Sequence, residues 1–217
     1  MAEAVRILSI DGGGIRGIIP AMVLQWIEGT TGKRISEMFH MVADTSTGGL
    51  LACGLVTPAR GSEPRSATEM VDLYRNRGGE IFHSSFWKGF GSLCGIADEK
   101  YDAEALEKIL KKYFGEAKLS QVAKDLLVTS YNIETRRPFF FKSWKARGEK
   151  LDNDETAADR DFLIRDLCRA TSAAPTYFEP RGVKKLIRTN TSFQVDMIET
   201  LLHLGRWMKI ARTVDWT

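Results

Sequence analysis

The chain has 217 residues, of which 43% are hydrophobic and 27% charged, proportions of a globular domain rather than of a disordered or fibrous chain. Its 31 basic and 28 acidic side chains leave a formal net charge of +3, too small a surplus to support nucleic-acid binding. Cys53, Cys94 and Cys168 are odd in number, far apart and set among apolar or glycine-rich neighbours, which argues against a disulfide framework or a CxxC metal site and for buried free thiols.

The start, Met1-Ala2-Glu3-Ala4, runs straight into Val5–Ile10 without a basic segment followed by a long apolar one. The expectation is therefore a cytoplasmic protein, at most peripheral at a membrane. Val5–Ile10 reads as a buried strand feeding the loop Asp11-Gly12-Gly13-Gly14. Pro20 suits the first turn of a following helix, Met22, Val23, Trp26 and Ile27 give it an apolar face, and Gly29 suits its stop. A second short strand over 39–43 leads to Asp44-Thr45-Ser46-Thr47-Gly48-Gly49 and the apolar stretch Leu50–Val56, again strand, tight turn and helix.

Residues 57–66 and 78–95 read as irregular segments. Leu106, Ile109, Leu110 and Tyr113 fall at helical spacing with Asp102 as the expected N-cap. Strands are expected over 126–131 and 139–141, a solvated charged segment over 148–160, and a helix through Phe162, Leu163 and Leu167. Alternating strands and helices predict a single α/β domain over residues 1–217, with a parallel or mixed sheet covered on both faces.

The chemistry sits in the two glycine-rich turns. Asp11-Gly12-Gly13-Gly14-Ile15-Arg16-Gly17 leaves backbone N–H groups clustered at a strand-to-helix turn, an anion-binding arrangement. Gly12, Gly14 and Gly17 also satisfy G-x-G-x-x-G, so a nucleotide loop is an open alternative. The acidic residue that such a loop wants about twenty positions on falls at Glu37, ahead of the second strand instead of at its end. The second turn puts Ser46 at the tip of a sharp bend between strand and helix, with its hydroxyl exposed toward a nearby anion hole. Two such turns about thirty residues apart are an acyl-transfer arrangement, with Gly12, Gly13 and Gly14 as oxyanion hole and Ser46 as nucleophile.

These two segments, together with Ala170-Thr171-Ser172-Ala173-Ala174-Pro175-Thr176-Tyr177-Phe178-Glu179-Pro180, resemble the signature segments of patatin-like phospholipases, in the family's order. The resemblance spans about residues 5 to 180. It implies a three-layer α/β/α fold with a mostly parallel central sheet, a lipid ester substrate, no metal or cofactor, and a serine–aspartate dyad without histidine. Asp44, Thr45, Thr47 and Gly48 then shape the nucleophile elbow around Ser46. His40, His83 and His203 lie in no motif.

The chain departs from the family pattern twice. Asp44 stands where the family's G-x-S-x-G has glycine, which is expected to crowd the elbow and to set a carboxylate against a developing oxyanion. No Asp-Gly follows Pro180, so the family's D-G-G or D-G-A motif is missing and residues 181–217 are atypical. Asp196, sixteen positions after Pro180 and preceded by Phe193-Gln194-Val195, is the candidate for the dyad's aspartate. The tail segment 197–211 carries Ile198, Leu201, Leu202, Gly205 and Met208 on one helical face, suited either to packing or to peripheral contact with anionic lipid. Two readings stand: an acyl hydrolase of lipid esters, and a catalytically silent lipid-binding or regulatory relative.

Overall fold

The computed structural model describes residues 4–59, 63–81, 99–152, 155–173, 181–184 and 190–194. Asp196, the segment 174–180, the tail 197–211, Cys94, His83 and His203 lie outside them. Strand β1 (Ile7–Ile10) pairs in parallel with β2 (Met41–Asp44), and β2 in parallel with β3 (Asp125–Asn132). In that register Ile10, Asp44 and Val128 stand level, so the glycine loop and the serine turn leave the sheet at the same height. β3 continues past Val128 and pairs antiparallel with β4 (Arg137–Lys142) and with β6 (Asn190–Gln194), which pairs in turn with β5 (Arg181–Lys184). The fold is the expected three-layer α/β/α class, with a mixed sheet: β1 to β3 run parallel and the strands beyond them antiparallel.

Helix α1 (Ile18–Thr31) follows β1 through a 3-10 turn at Gly14–Gly17, and α2 (Ile35–Met38) precedes β2. Helix α3 (Ser46–Val56) begins at the serine itself and is buried at every position. This is why its sequence is apolar all round rather than amphipathic. Around it lie α4 (Ala67–Ile81), α5 (Glu99–Phe114) and, past two short helices, α6 (Ser143–Ala146) and α7 (Ala157–Arg160), the helix α8 (Ile164–Thr171). One hydrophobic cluster joins these elements, from Ile10 and Val42 through Leu51, Leu55, Met70 and Leu110 to Phe141, Phe162 and Leu167. Phe141 and Phe162 meet edge to face at 5.0 Å and 89°, the geometry their ring quadrupoles favour.

Several expected boundaries move. Helix α1 runs past Gly29 to Thr31 and is closed by Gly32, whose φ of 66° lets its N–H reach Glu28 O. Asp102 is no cap, because α5 is already running at Glu99. Gly78–Ile81 are the last turns of α4, which buries Met70, Val71, Leu73 and Tyr74. The charged segment is also only partly solvated: Lys145 is buried, with Asp152 at 2.5 Å and Glu155 at 3.0 Å. Cys53 and Cys168 are free and buried, as expected. Among the described residues no helix is long and apolar enough to cross a membrane.

Tyr74 links the outer helix to the serine turn, donating its hydroxyl to Thr47 O at 2.8 Å. Tyr74→Phe removes this buried hydrogen bond, so the variant should lose about 0.5–1.5 kcal/mol and melt about 1–6 °C lower. Unchanged thermal melting would show that the bond contributes nothing.

Candidate active site

Thr45 has extended backbone, φ −142° and ψ 151°, and Ser46 then turns into the left-handed region at φ 54°. A residue with a Cβ pays strain there, of order 1–3 kcal/mol, and holds the conformation only when its surroundings enforce it. The surroundings are specific. Ser46 N–H donates to Thr171 Oγ1 at 2.8 Å, and the Thr171 hydroxyl donates onward to Thr129 O at 2.8 Å. Thr171 is the last residue of α8 and fully buried, so one hydroxyl ties the serine turn to β3 and to the end of α8.

The glycine loop lies directly against this turn. A Cβ added at Gly12 would stand 2.8 Å from Ser46 Cβ, 3.0 Å from Thr45 O and 3.5 Å from Ser46 Oγ. Only a residue without a side chain admits that approach. Gly13 N–H donates to Thr47 Oγ1 at 3.1 Å, and Gly14 takes φ 60° as the chain enters the 3-10 turn. Gly12, Gly13, Ser46 and Thr47, some 34 residues apart in sequence, therefore form one cluster at the carboxyl ends of β1 and β2. The start of α3 adds the positive end of its dipole to the same place.

The Asp44 side chain is enclosed within the bend. It is 0% exposed, its Oδ1 accepts from Thr45 N–H at 2.6 Å, and its Oδ2 is buried without a hydrogen-bond partner. The carboxyl occupies the space over Gly48, where an added Cβ would overlap Oδ1. Burial pushes the Asp44 carboxyl well above the usual carboxylate range, outweighing the Thr45 N–H bond that pulls it down, and Cys53 and Asp11 push the same way as burial. Burial thus favours the neutral acid, which weakens the expected repulsion of an oxyanion. The expected crowding is relieved by the glycine at 48.

Of the residues the sequence singled out, Ser46, the loop Gly12–Gly14 and the elbow residues Asp44, Thr45, Thr47 and Gly48 lie together at the ends of β1 and β2. Sequence reasoning missed Tyr74, and it gave Thr171 no role, although Thr171 stands in the Ala-Thr-Ser segment that drew attention. The residue it named as base, Asp196, lies outside the described residues. His40 takes part in the sheet edge, its Nδ1 accepting from Arg6 N–H at 3.0 Å. Among the described residues no group of His, Cys, Asp and Glu is placed to hold a metal ion.

The profile of the family described as Patatin-like phospholipase matches residues 8–192. Patatin-03 of Solanum tuberosum is 36% identical over 201 residues, covering 88% of this chain and 47% of its own. Patatin group J-1 of the same plant is 33% identical over 208 residues, 92% of this chain and 50% of its own. The chain thus spans about half the length of the curated relatives it matches. Among solved structures, VipD from Legionella pneumophila aligns over 89% of this chain and 46% of its own, with a TM-score of 0.42 and 12% identity.

Two outcomes follow from this geometry. Thr171→Val removes the acceptor of Ser46 N–H and should destabilise the protein by about 1–3 kcal/mol, whereas Thr171→Ser keeps the hydroxyl and should cost far less. Denaturant titration of both separates the cases, and equal losses would assign the effect to packing of the methyl group instead. For Asp44, the folded state holds a proton that the unfolded chain releases above the ordinary value of 3.8, so stability falls as pH rises from there through the folded titration. Asp44→Asn should melt higher than the parent at neutral pH, with the gap closing as pH falls toward about 4. A gap independent of pH would show that Asp44 is not protonated in the fold.

Proposed function

Since the chain belongs to the patatin-like phospholipase family, a family of lipid acyl hydrolases, we propose that it cleaves lipid ester bonds, phospholipids among them, with Ser46 as nucleophile. The observation that carries this reading is the seat of Gly12 against Ser46, with the serine held at φ 54° on the first turn of α3. A serine so placed has its hydroxyl beside backbone donors, the combination that acyl transfer needs. Ser46 Oγ attacks the ester carbonyl and loses its proton to a base. The oxyanion forms against the loop Gly12–Gly14, where Gly13 N–H, now bonded to the neutral Thr47 hydroxyl, would gain a stronger, charge-assisted acceptor. Collapse expels the alcohol, which takes the proton back from the base. Water then attacks the acyl-serine ester and releases the fatty acid, returning Ser46.

In this scheme Ser46 N–H is not an oxyanion donor, because Thr171 holds it. Its role is to fix the turn. The base is assigned to Asp196, on its distance from Pro180 in sequence and on the family's use of an aspartate. The second reading, a silent lipid-binding relative, draws on the Met197-Ile198 pair that replaces the glycines of D-G-G. Asp44 lends it less support, given where its carboxyl is buried.

Hydrolysis of a short-chain p-nitrophenyl ester and labelling by a fluorophosphonate probe test the reading together. Ser46→Ala should abolish both with little change in melting temperature. Asp196→Asn should lower turnover by about two orders of magnitude or more, as loss of a general base does. Labelling that persists in Ser46→Ala would remove Ser46 from the mechanism, and full activity in Asp196→Asn would remove Asp196. A parent that neither hydrolyses the ester nor takes the probe leaves the silent reading standing.

A further inference from the structure

Helix α1 is apolar on two opposite faces. Ala21 and Leu24, at 0% and 3% exposure, pack into the core. Turned the other way are Ile19 at 61%, Met22 at 45%, Val23 at 52% and Trp26 at 69%. Their spacing of three, four and seven residues places them in one stripe. Ile15, one turn earlier and 40% exposed, extends it to the glycine loop that touches Ser46. Of the large hydrophobic side chains exposed among the described residues, only Val5 and Ile7, at the edge strand β1, lie off this stripe.

A surface helix of a globular protein carries polar side chains on its outer face. In α1 the one charged residue is Glu28, and it is turned away from the stripe: Oε1 accepts from Ile35 N–H at 3.0 Å and Oε2 from Ala67 N–H at 2.8 Å. Exposed cations bracket the stripe instead, Arg16 before the helix and Lys33 after it. A contiguous apolar patch of this kind marks a docking face. The cations indicate what docks. In a two-fold pairing of α1 with a second copy of itself, each end brings a cation toward a cation whichever way the helices run. An anionic lipid surface meets both ends favourably, and takes up a stripe whose widest residue is a tryptophan, the side chain best suited to the boundary between headgroups and acyl chains.

We propose that the Ile15–Trp26 stripe of α1 lays the protein on an anionic phospholipid surface, with the glycine loop and Ser46 at its leading end. The inference rests on the lipid-ester reading of the site and adds to it the face through which the substrate is reached. The five apolar side chains enter the interface, Arg16 and Lys33 stay among the phosphates, and the site opens where lipid leaves the bilayer.

The test uses the full chain carrying Ser46→Ala, so that adsorption is read without turnover. It is sedimented with vesicles of phosphatidylcholine containing a minor fraction of phosphatidylglycerol, beside pure phosphatidylcholine. Adsorption should favour the anionic vesicles and fall at least about tenfold in Ile19→Glu/Trp26→Glu, while melting temperature and, with Ser46 restored, any hydrolysis of the soluble ester stay unchanged. Brominated lipid should quench tryptophan emission in the parent and much less in Trp26→Phe. No adsorption by the parent, or equal adsorption by the double variant, overturns the proposal. So does a dimer, seen by light scattering, that the double variant abolishes in protein that ignores vesicles. A chain that adsorbs through α1 without cleaving the ester keeps the docking face and loses the hydrolase reading; one that cleaves the ester without adsorbing does the reverse.

Discussion

The hydroxyl of Thr171 is the constraint on which the candidate site depends. It accepts Ser46 N–H and donates to Thr129 O, both at 2.8 Å, and it does so at 0% exposure. A left-handed serine is unfavourable in isolation. Here the unfavourable turn is enforced by a bond that would otherwise leave a buried N–H without a partner, a loss of about 1–3 kcal/mol. Because the other end of the bridge is β3, the serine's position is referred to the sheet rather than to its own loop. Pre-organisation of this kind lets a nucleophile meet its substrate without first paying for order.

Around that bond the packing is close enough that each small residue answers to a neighbour. Gly12 admits Ser46, Gly48 admits the Asp44 carboxyl, and Tyr74 reaches over the first turn of α3 to Thr47 O. Asp44 shows how a departure from a pattern can be accommodated by the glycine that the pattern keeps at position 48. A carboxylate ahead of the serine is harmful if charged and harmful if it fills the elbow. Buried over a glycine, with one oxygen on Thr45 N–H, it is favoured as a neutral acid that packs as part of the core. The remaining oxygen without a partner is a standing energetic cost of that solution.

The outside of the molecule follows another logic. Where α4 turns Tyr74 and Leu73 inward and leaves Arg75 and Asn76 in water, α1 keeps apolar residues on both sides. The apolar face read from Met22, Val23, Trp26 and Ile27 exists, but the residues that seat α1 on the core are Ala21 and Leu24. Periodicity reports that a face is apolar and is blind to what lies against it. For that reason three of the four residues of that face are exposed, with Ile27 half-buried.

The sequence by itself determined the places where the backbone has little choice. Glycine runs at two strand ends, a serine between threonines and an apolar stretch after it specify turns, because few other residues tolerate those dihedrals and close approaches. Hence the turns at Ser46 and Gly12–Gly14, the α/β class and the family were legible, as were buried free thiols at Cys53 and Cys168. The tertiary structure decided everything that depends on distance through space. Thr171 is 125 residues from the serine it holds, and Gly13 is 34 from the hydroxyl it bonds; neither pairing leaves a periodic trace in the chain. The burial that raises the Asp44 titration and the exposure of the α1 stripe belong to the same class, since burial is a property of the neighbours a fold supplies and not of the residue that is buried.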